Sequence, residues 1–334
     1  MHAVTAYFRV GPAQNDHLPA LRVALGVAVP LVVLLLIDRI DLAAFAVFGA
    51  FTGIFGRGDP HGIRLQHQSG AGVLLLTAIT AGVLVAKYDA GPWAVVIGSV
   101  LVGGLGSLAA DRWVLRPPGP FFPVFAFAGS ASIPSTATIP EAVVTAVLSI
   151  LLSLAIGTAG WLLPGGRSGW PGRRFRPRSP SGHLSANAVR YALAAGVAGG
   201  IATLLGIGHN YWAILSAIVP LAAATRSTRL RRAFDRVSGT VGGLGVTAVL
   251  LAVPLVPWQL VLVLIVLQFL TEMFVIRHYS LALVFITPLA LLMSELAAPV
   301  GDTGSLLADR LVETVIGAAV GVVVVLVIRD PQKV

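Results

Sequence analysis

Between positions 225 and 243 the chain places five arginines, Arg226, Arg229, Arg231, Arg232 and Arg236, between two apolar runs. A guanidinium is permanently charged and presents a planar fork of donors that grips a carboxylate through two bonds. Arg236 and then Arg232 are the leading candidates for such a contact, because they abut the start of the second run, where a side chain can reach a cavity. Arg226, Arg229 and Arg231 read as ordinary cytoplasmic-loop charge, and Asp235 as a charge partner of its neighbours. Arg22 and Arg190 stand at matching places, about one turn into the first and seventh apolar stretches. They read equally as pore lining and as side chains that snorkel to the interface. Tyr211 and Trp212 follow His209 and Asn210 at the outer end of a short apolar run. Stacking on an aromatic acid is one use for them, and a belt at headgroup level is the other. His209 is of a type that titrates near neutral pH, although a solvated loop histidine is the commoner case.

Acids inside apolar stretches are scarcer. Glu313 lies about two turns into the last stretch, with Asp309 at i−4 and Arg310 at i−3. A carboxylate at that depth is costly unless it is paired or faces water. An Arg310–Glu313 ion pair is the favoured structural reading, and proton coupling is the functional one. Glu272, with Gln268 one turn earlier, sits near the cytoplasmic end of the tenth stretch. Arg277 is its expected partner, with proton coupling again the alternative.

Apolar stretches must position these groups. Hydrophobic residues make up 56% of the 334 residues and charged residues 11%, against about 25% charged in a soluble domain. The mean hydropathy of +0.89 agrees. The apolar runs are continuous, which selects an all-α polytopic membrane protein over a barrel. Twelve helices are expected, over 18–37, 42–55, 69–86, 91–110, 120–135, 140–163, 187–206, 211–224, 237–253, 257–276, 279–298 and 305–328. The second and eighth are short for the roughly 20 residues a crossing needs. Short helices at corresponding places point to a transport site, the alternative being a tilted or interfacial helix. Gly49-x3-Gly53, Gly196-x3-Gly200, Gly239-x3-Gly243 and Gly317-x3-Gly321 mark close helix packing.

A Pro-, Gly- and Arg-rich linker divides the chain into a first membrane half (1–163), a cytoplasmic connector (164–186) and a second half (187–334). Ala20-Leu-Arg22-Val-Ala-Leu25 matches Ala188-Val-Arg190-Tyr-Ala-Leu193, and Pro92-Trp93 matches Pro257-Trp258. Six helices per half make this a parallel repeat, as if a homodimer had been fused. With the N-terminus in the cytoplasm, all but Arg39, Lys87 and Arg310 of the 23 lysines and arginines fall on the cytoplasmic side, as the positive-inside rule requires. Both termini are then cytoplasmic, in a bacterial-type inner membrane. The first span serves as the insertion signal, with no removable leader.

The short run opened by Tyr211-Trp212-Ala213, followed by Arg232-x3-Arg236-Val-x-Gly239-Thr240-x2-Gly243, resembles the signature of the fusaric acid resistance protein-like family. That family includes aromatic acid exporters and is similar to the aluminium-activated malate transporters. The resemblance covers both halves. In the first half the motif survives only in fragments, between Gly56 and Gly70. It implies transport of organic anions, often aromatic carboxylates and usually outward. Many members carry large cytoplasmic domains after each membrane half. Here the linker and Arg329–Val334 stand in those places, which weakens transfer of a particular substrate.

The expected function is a secondary transporter that exports small organic carboxylates through an arginine-lined passage between the halves. Arg236, Arg232, Arg190, Arg22, Tyr211 and Trp212 would contact substrate, and Glu313 and Glu272 would serve coupling. A passive anion channel of the same architecture and a non-transporting membrane interaction protein are the alternatives. The partners expected are the anion and membrane lipids, with self-association left open. The pI near 10.9 reflects loop charge in such a protein, and nucleic acid is not expected. No phosphate loop, metal-ligand spacing or nucleophile–base constellation is legible, so neither an enzyme nor a cofactor is expected.

Overall fold

A computed structural model describes residues 11–12, 16–132, 137–162, 182–297 and 302–328. These residues form twelve α-helices and no strand. The first six are α1 (His17–Leu36), α2 (Ala43–Ala50), α3 (His61–Lys87), α4 (Gly91–Arg112), α5 (Phe121–Ser132) and α6 (Ile139–Thr158). The second six are α7 (Gly182–Leu204), α8 (Tyr211–Ile218), α9 (Arg226–Leu251), α10 (Pro257–Phe274), α11 (Tyr279–Ala297) and α12 (Thr303–Val327). Seven helical segments are long and apolar enough to cross a membrane: α1, α3, α4, α6 with its trailing turn, α10, α11 and α12. Shorter apolar segments cover Ile40–Ile54, Phe121–Ser132 and Tyr211–Ala222. The chain is therefore a multi-pass helical membrane protein. Most of the basic linker lies outside the described residues.

Two helix starts differ from expectation by more than two turns. α3 begins at His61 and α9 at Arg226, each about two to three turns before the expected start. The polar stretches ahead of these apolar runs are therefore helical. At α9, Thr225 and Thr228 form a reciprocal cap: the Thr225 hydroxyl accepts from Thr228 N at 3.2 Å, and the Thr228 hydroxyl accepts from Thr225 N at 3.0 Å. Such a cap satisfies two of the orphan donors at a helix start. Arginine is a good helix former, so the cationic segment continues the helix, and Arg232 and Arg236 ride inside it. Arg229 is not simple loop charge, since it is buried and its Nε donates to the Ala223 carbonyl at 2.9 Å.

α2 and α8 are short, and every residue of both is buried. A half-length helix leaves terminal backbone groups at membrane depth, which is tolerable only inside protein or against water. Each continues through a 3-10 turn, Phe51–Ile54 after α2 and Pro220–Ala222 near the end of α8. α2 packs on α6 and α8 on α12; α3 packs on α5 and α6, and α9 on α11 and α12. The halves meet where α4 packs on α7 and α10 on α1.

Glycines set the closest approaches. A Cβ at Gly317 would collide with the Ala213 carbonyl of α8, and one at Gly239 with the Ser280 carbonyl of α11. These contacts draw α12 against α8 and α9 against α11. At Gly53 and Gly200 of the other expected motifs a Cβ would meet only ordinary contacts, at 3.8 Å and 3.9 Å.

Candidate anion site

A cavity of about 640 Å³ lies between the two halves of the chain. The short helices contribute Phe48 from α2 and Tyr211 and Trp212 from α8. α5 contributes Phe121, Phe122 and Phe125, α9 contributes Arg232 and Arg236, and α10 contributes Gln268 and Glu272. Arg57 and Asp59, between α2 and α3, and Arg116, ahead of α5, add charge to the lining, and Thr271, Tyr279 and Ser294 add polar groups.

One wall is aromatic. The Trp212 ring lies 4.6 Å from Tyr211 and 5.3 Å from Phe125, centroid to centroid. Phe125 continues to Phe48 at 5.2 Å in an edge-to-face contact, and Phe51 lies 5.4 Å from Phe122. These spacings fall in the favourable range for aromatic pairs. Tyr211 and Trp212 are 1% and 3% exposed. They are therefore not a headgroup belt, because α8 begins inside the protein.

Arg236 is 1% exposed, and its Nε donates to the Ser216 hydroxyl of α8 at 3.3 Å. Among the described residues no acid lies within ion-pair distance of it. Asp235 faces Arg231 instead, at 3.9 Å. Arg232 lies over the Tyr279 ring, 5.1 Å from its centroid. A buried cation without a carboxylate can supply charge-assisted hydrogen bonds to an incoming one.

Glu272 is 3% exposed. It does not pair with Arg277, whose Nε donates to the Gly11 carbonyl at 2.9 Å. Arg57 Nη1 donates to Glu272 Oε2 at 2.7 Å, and Gln268 Nε2 donates to Oε1 at 3.3 Å. Arg64, buried one turn into α3, holds the segment that carries Arg57. It donates to the carbonyls of Gly56 at 3.3 Å, Asp59 at 2.7 Å and Gly157 at 2.8 Å.

Three expected site residues do not line the cavity. Arg22 Nη2 donates to the Arg57 carbonyl at 2.9 Å and so braces a lining residue from behind. Arg190 is 2% exposed and donates to Asn187 Oδ1 at 3.2 Å and to the Ile328 carbonyl at 3.1 Å. It neither lines the cavity nor snorkels. Glu313 is fully buried on α12, and neither of its oxygens has a hydrogen-bond partner among the described residues. The expected ion pair with Arg310 does not form: the Arg310 guanidinium lies over Trp212, 3.8 Å from the ring centroid. All three of its nitrogens lack hydrogen-bond partners. The indole face is a substitute for a carboxylate, since a desolvated cation–π contact is worth about 2 kcal/mol.

Sequence reasoning overlooked Arg57 and the phenylalanines. Phe48-x2-Phe51 and Phe121-Phe122-x2-Phe125 carry a helical spacing that could have marked one aromatic face. Nothing local marks Arg57, whose partner is 215 positions away.

An uncharacterized membrane protein of Bacillus subtilis (strain 168), YvaC, is 29% identical over 134 residues, which is 40% of this chain but 21% of that relative. The chain thus spans well under two thirds of the length of the curated relative it matches. No solved structure matches significantly. The signature residues Tyr211, Arg232, Arg236 and Gly239 fall inside residues 197–324, and over that stretch this membrane protein matches the family described as fusaric acid resistance protein-like.

Proposed function

We propose that the protein is an inner-membrane transporter that exports small organic carboxylates, aromatic ones above all, through the cavity between its halves. The observation that carries this reading is the lining itself. Four arginines (Arg57, Arg116, Arg232 and Arg236) face two acids (Asp59 and Glu272) beside a continuous aromatic wall. Excess positive charge in a poorly solvated cleft attracts an anion, while the phenylalanines and Trp212 offer ring faces to an aromatic body. The match to a fusaric acid resistance protein-like family supports transport as the function class.

The proposed orientation places both termini in the cytoplasm and treats the halves as parallel repeats. In that orientation Arg57, Arg116 and Arg232 belong to the cytoplasmic end, where an outward carrier collects its cargo. Two of the cations left on the outer side are accounted for. Arg39 is paired with Glu141 at 2.7 Å and Asp41 at 3.1 Å, and Arg310 is buried against Trp212. Arg236 and Arg232 bind the carboxylate, and Tyr211 and Trp212 stack on the ring. Glu313, fully buried on α12 and outside any ion pair among the described residues, is the proposed coupling group.

The test is uptake of labelled benzoate and of aliphatic carboxylates into inverted vesicles containing the purified protein, with and without a proton gradient, beside Arg236→Ala. Gradient-stimulated uptake that the variant loses is expected. Uptake driven by voltage and indifferent to the proton gradient would replace the carrier with a channel. Absence of flux for every carboxylate would overturn the reading.

A further inference from the structure

The Arg57–Glu272 pair is unusual in its place. Both side chains line the cavity, one from each half of the chain, and they are 11% and 4% exposed. The 2.7 Å contact is a short, charge-assisted hydrogen bond. Arg57 is held from several sides. Its Nη2 donates to the Asp16 carbonyl at 3.3 Å and lies 3.6 Å from Asp16 Oδ1, while its own carbonyl accepts from Arg22. A guanidinium fixed in this way is a preformed carboxylate receptor. Glu272 fills it with the same functional group that an organic acid would bring. Glu272 also keeps a second partner in Gln268, so its carboxylate retains a hydrogen bond when Arg57 is taken away.

We propose that Arg57 is a second carboxylate-binding residue of the cavity, occupied by Glu272 as a tethered internal competitor that an organic carboxylate displaces. The inference rests on the anion-transport reading and deepens it. It assigns Arg57 to the substrate and makes Glu272 a determinant of affinity. Displacement also removes an ion pair that joins α10 to the segment between α2 and α3, so binding loosens one contact between the halves. No covalent change is involved: one ion pair is exchanged for another.

A site filled by an internal ligand for most of the time shows its affinity reduced by the unoccupied fraction. Benzoate binding to the purified full-length protein in lipid nanodiscs, measured by calorimetry, tests this. Glu272→Gln should bind benzoate about tenfold tighter than wild type. Glu272→Asp keeps the charge but reaches Arg57 poorly, and should bind a few-fold tighter. Adding Arg57→Gln to Glu272→Gln should abolish the gain. Should Glu272→Gln fail to give a monodisperse sample, Glu272→Asp carries the test. Wild-type affinity in the folded Glu272 variants, or a gain that survives Arg57→Gln, overturns the assignment. If wild type and variants alike bind neither benzoate nor an aliphatic carboxylate, the anion-transport reading falls and this site falls with it.

Discussion

Replacing Arg236 with methionine should separate binding from stability. Methionine keeps most of the volume of the stem and removes the charge. The fold loses one hydrogen bond, the 3.3 Å contact from Arg236 Nε to the Ser216 hydroxyl, worth about 1.5–3 kcal/mol because its donor is charged. Against that, the variant no longer buries a cation that has no carboxylate within ion-pair distance, and such burial costs several kcal/mol per ion. It also relieves the like-charge repulsion with Arg310, which is buried nearby. The balance predicts an unchanged or higher unfolding temperature. Anion binding should move the other way. A hydrogen bond to a charged group contributes about 1.5–3 kcal/mol, so the apparent affinity for benzoate should fall by about tenfold to 150-fold. Thermal unfolding in detergent, with vesicle uptake across a benzoate series, reads both quantities from one preparation. A variant with a markedly lower unfolding temperature and an unaltered KM would refute the argument, because Arg236 would then be holding the structure and not the anion.

At Gly317, valine should cost about 1–3 kcal/mol through overpacking or more, since the colliding atom is the Ala213 carbonyl and backbone cannot swing aside; thermal unfolding with Gly245→Val as an open-space control checks this. Arg310 and Glu313 influence each other electrostatically without an ion pair. Arg310→Met and Glu313→Gln should therefore be non-additive, with a coupling of about 1 kcal/mol or more in a denaturant double-mutant cycle. Burial pushes the His209 imidazole below its usual 6.5, with Arg310 adding to the shift and Asp309 opposing it. Its protonation is thus favoured in the unfolded chain, so its contribution to stability is full above about pH 6.5 and is lost as pH falls through the lowered value. Unfolding temperatures measured from pH 8 to pH 5 should fall less steeply in His209→Gln than in wild type.

The membrane class, the twelve helices and the shortness of two of them were legible from the chain, because each follows from local composition. A run of apolar residues dictates a helix at membrane depth whatever surrounds it. Both short helices lie buried within the protein, as their length requires at membrane depth. The signature arginines and the Tyr211-Trp212 pair were visible as motifs. Arg232, Arg236, Tyr211, Trp212 and Glu272 do meet at one cavity.

Partnership was not legible. Glu272 had Arg277 within reach along the chain, yet it pairs with Arg57, which another helix pair delivers from the far half. Arg310 and Glu313 had the spacing of an ion pair, but packing of α12 on α8 set the guanidinium on Trp212 instead. Arg22 and Arg190 look alike in sequence but have different jobs, because one meets the Arg57 carbonyl and the other the Ile328 carbonyl. Helix formation is decided within a few residues by apolar content, capping and propensity, so the sequence alone carries it. Which charge faces which, and which aromatic rings share a wall, depends on contacts between residues far apart in the chain. Only the packing of helices against one another, set by glycines and buried side chains, decided those.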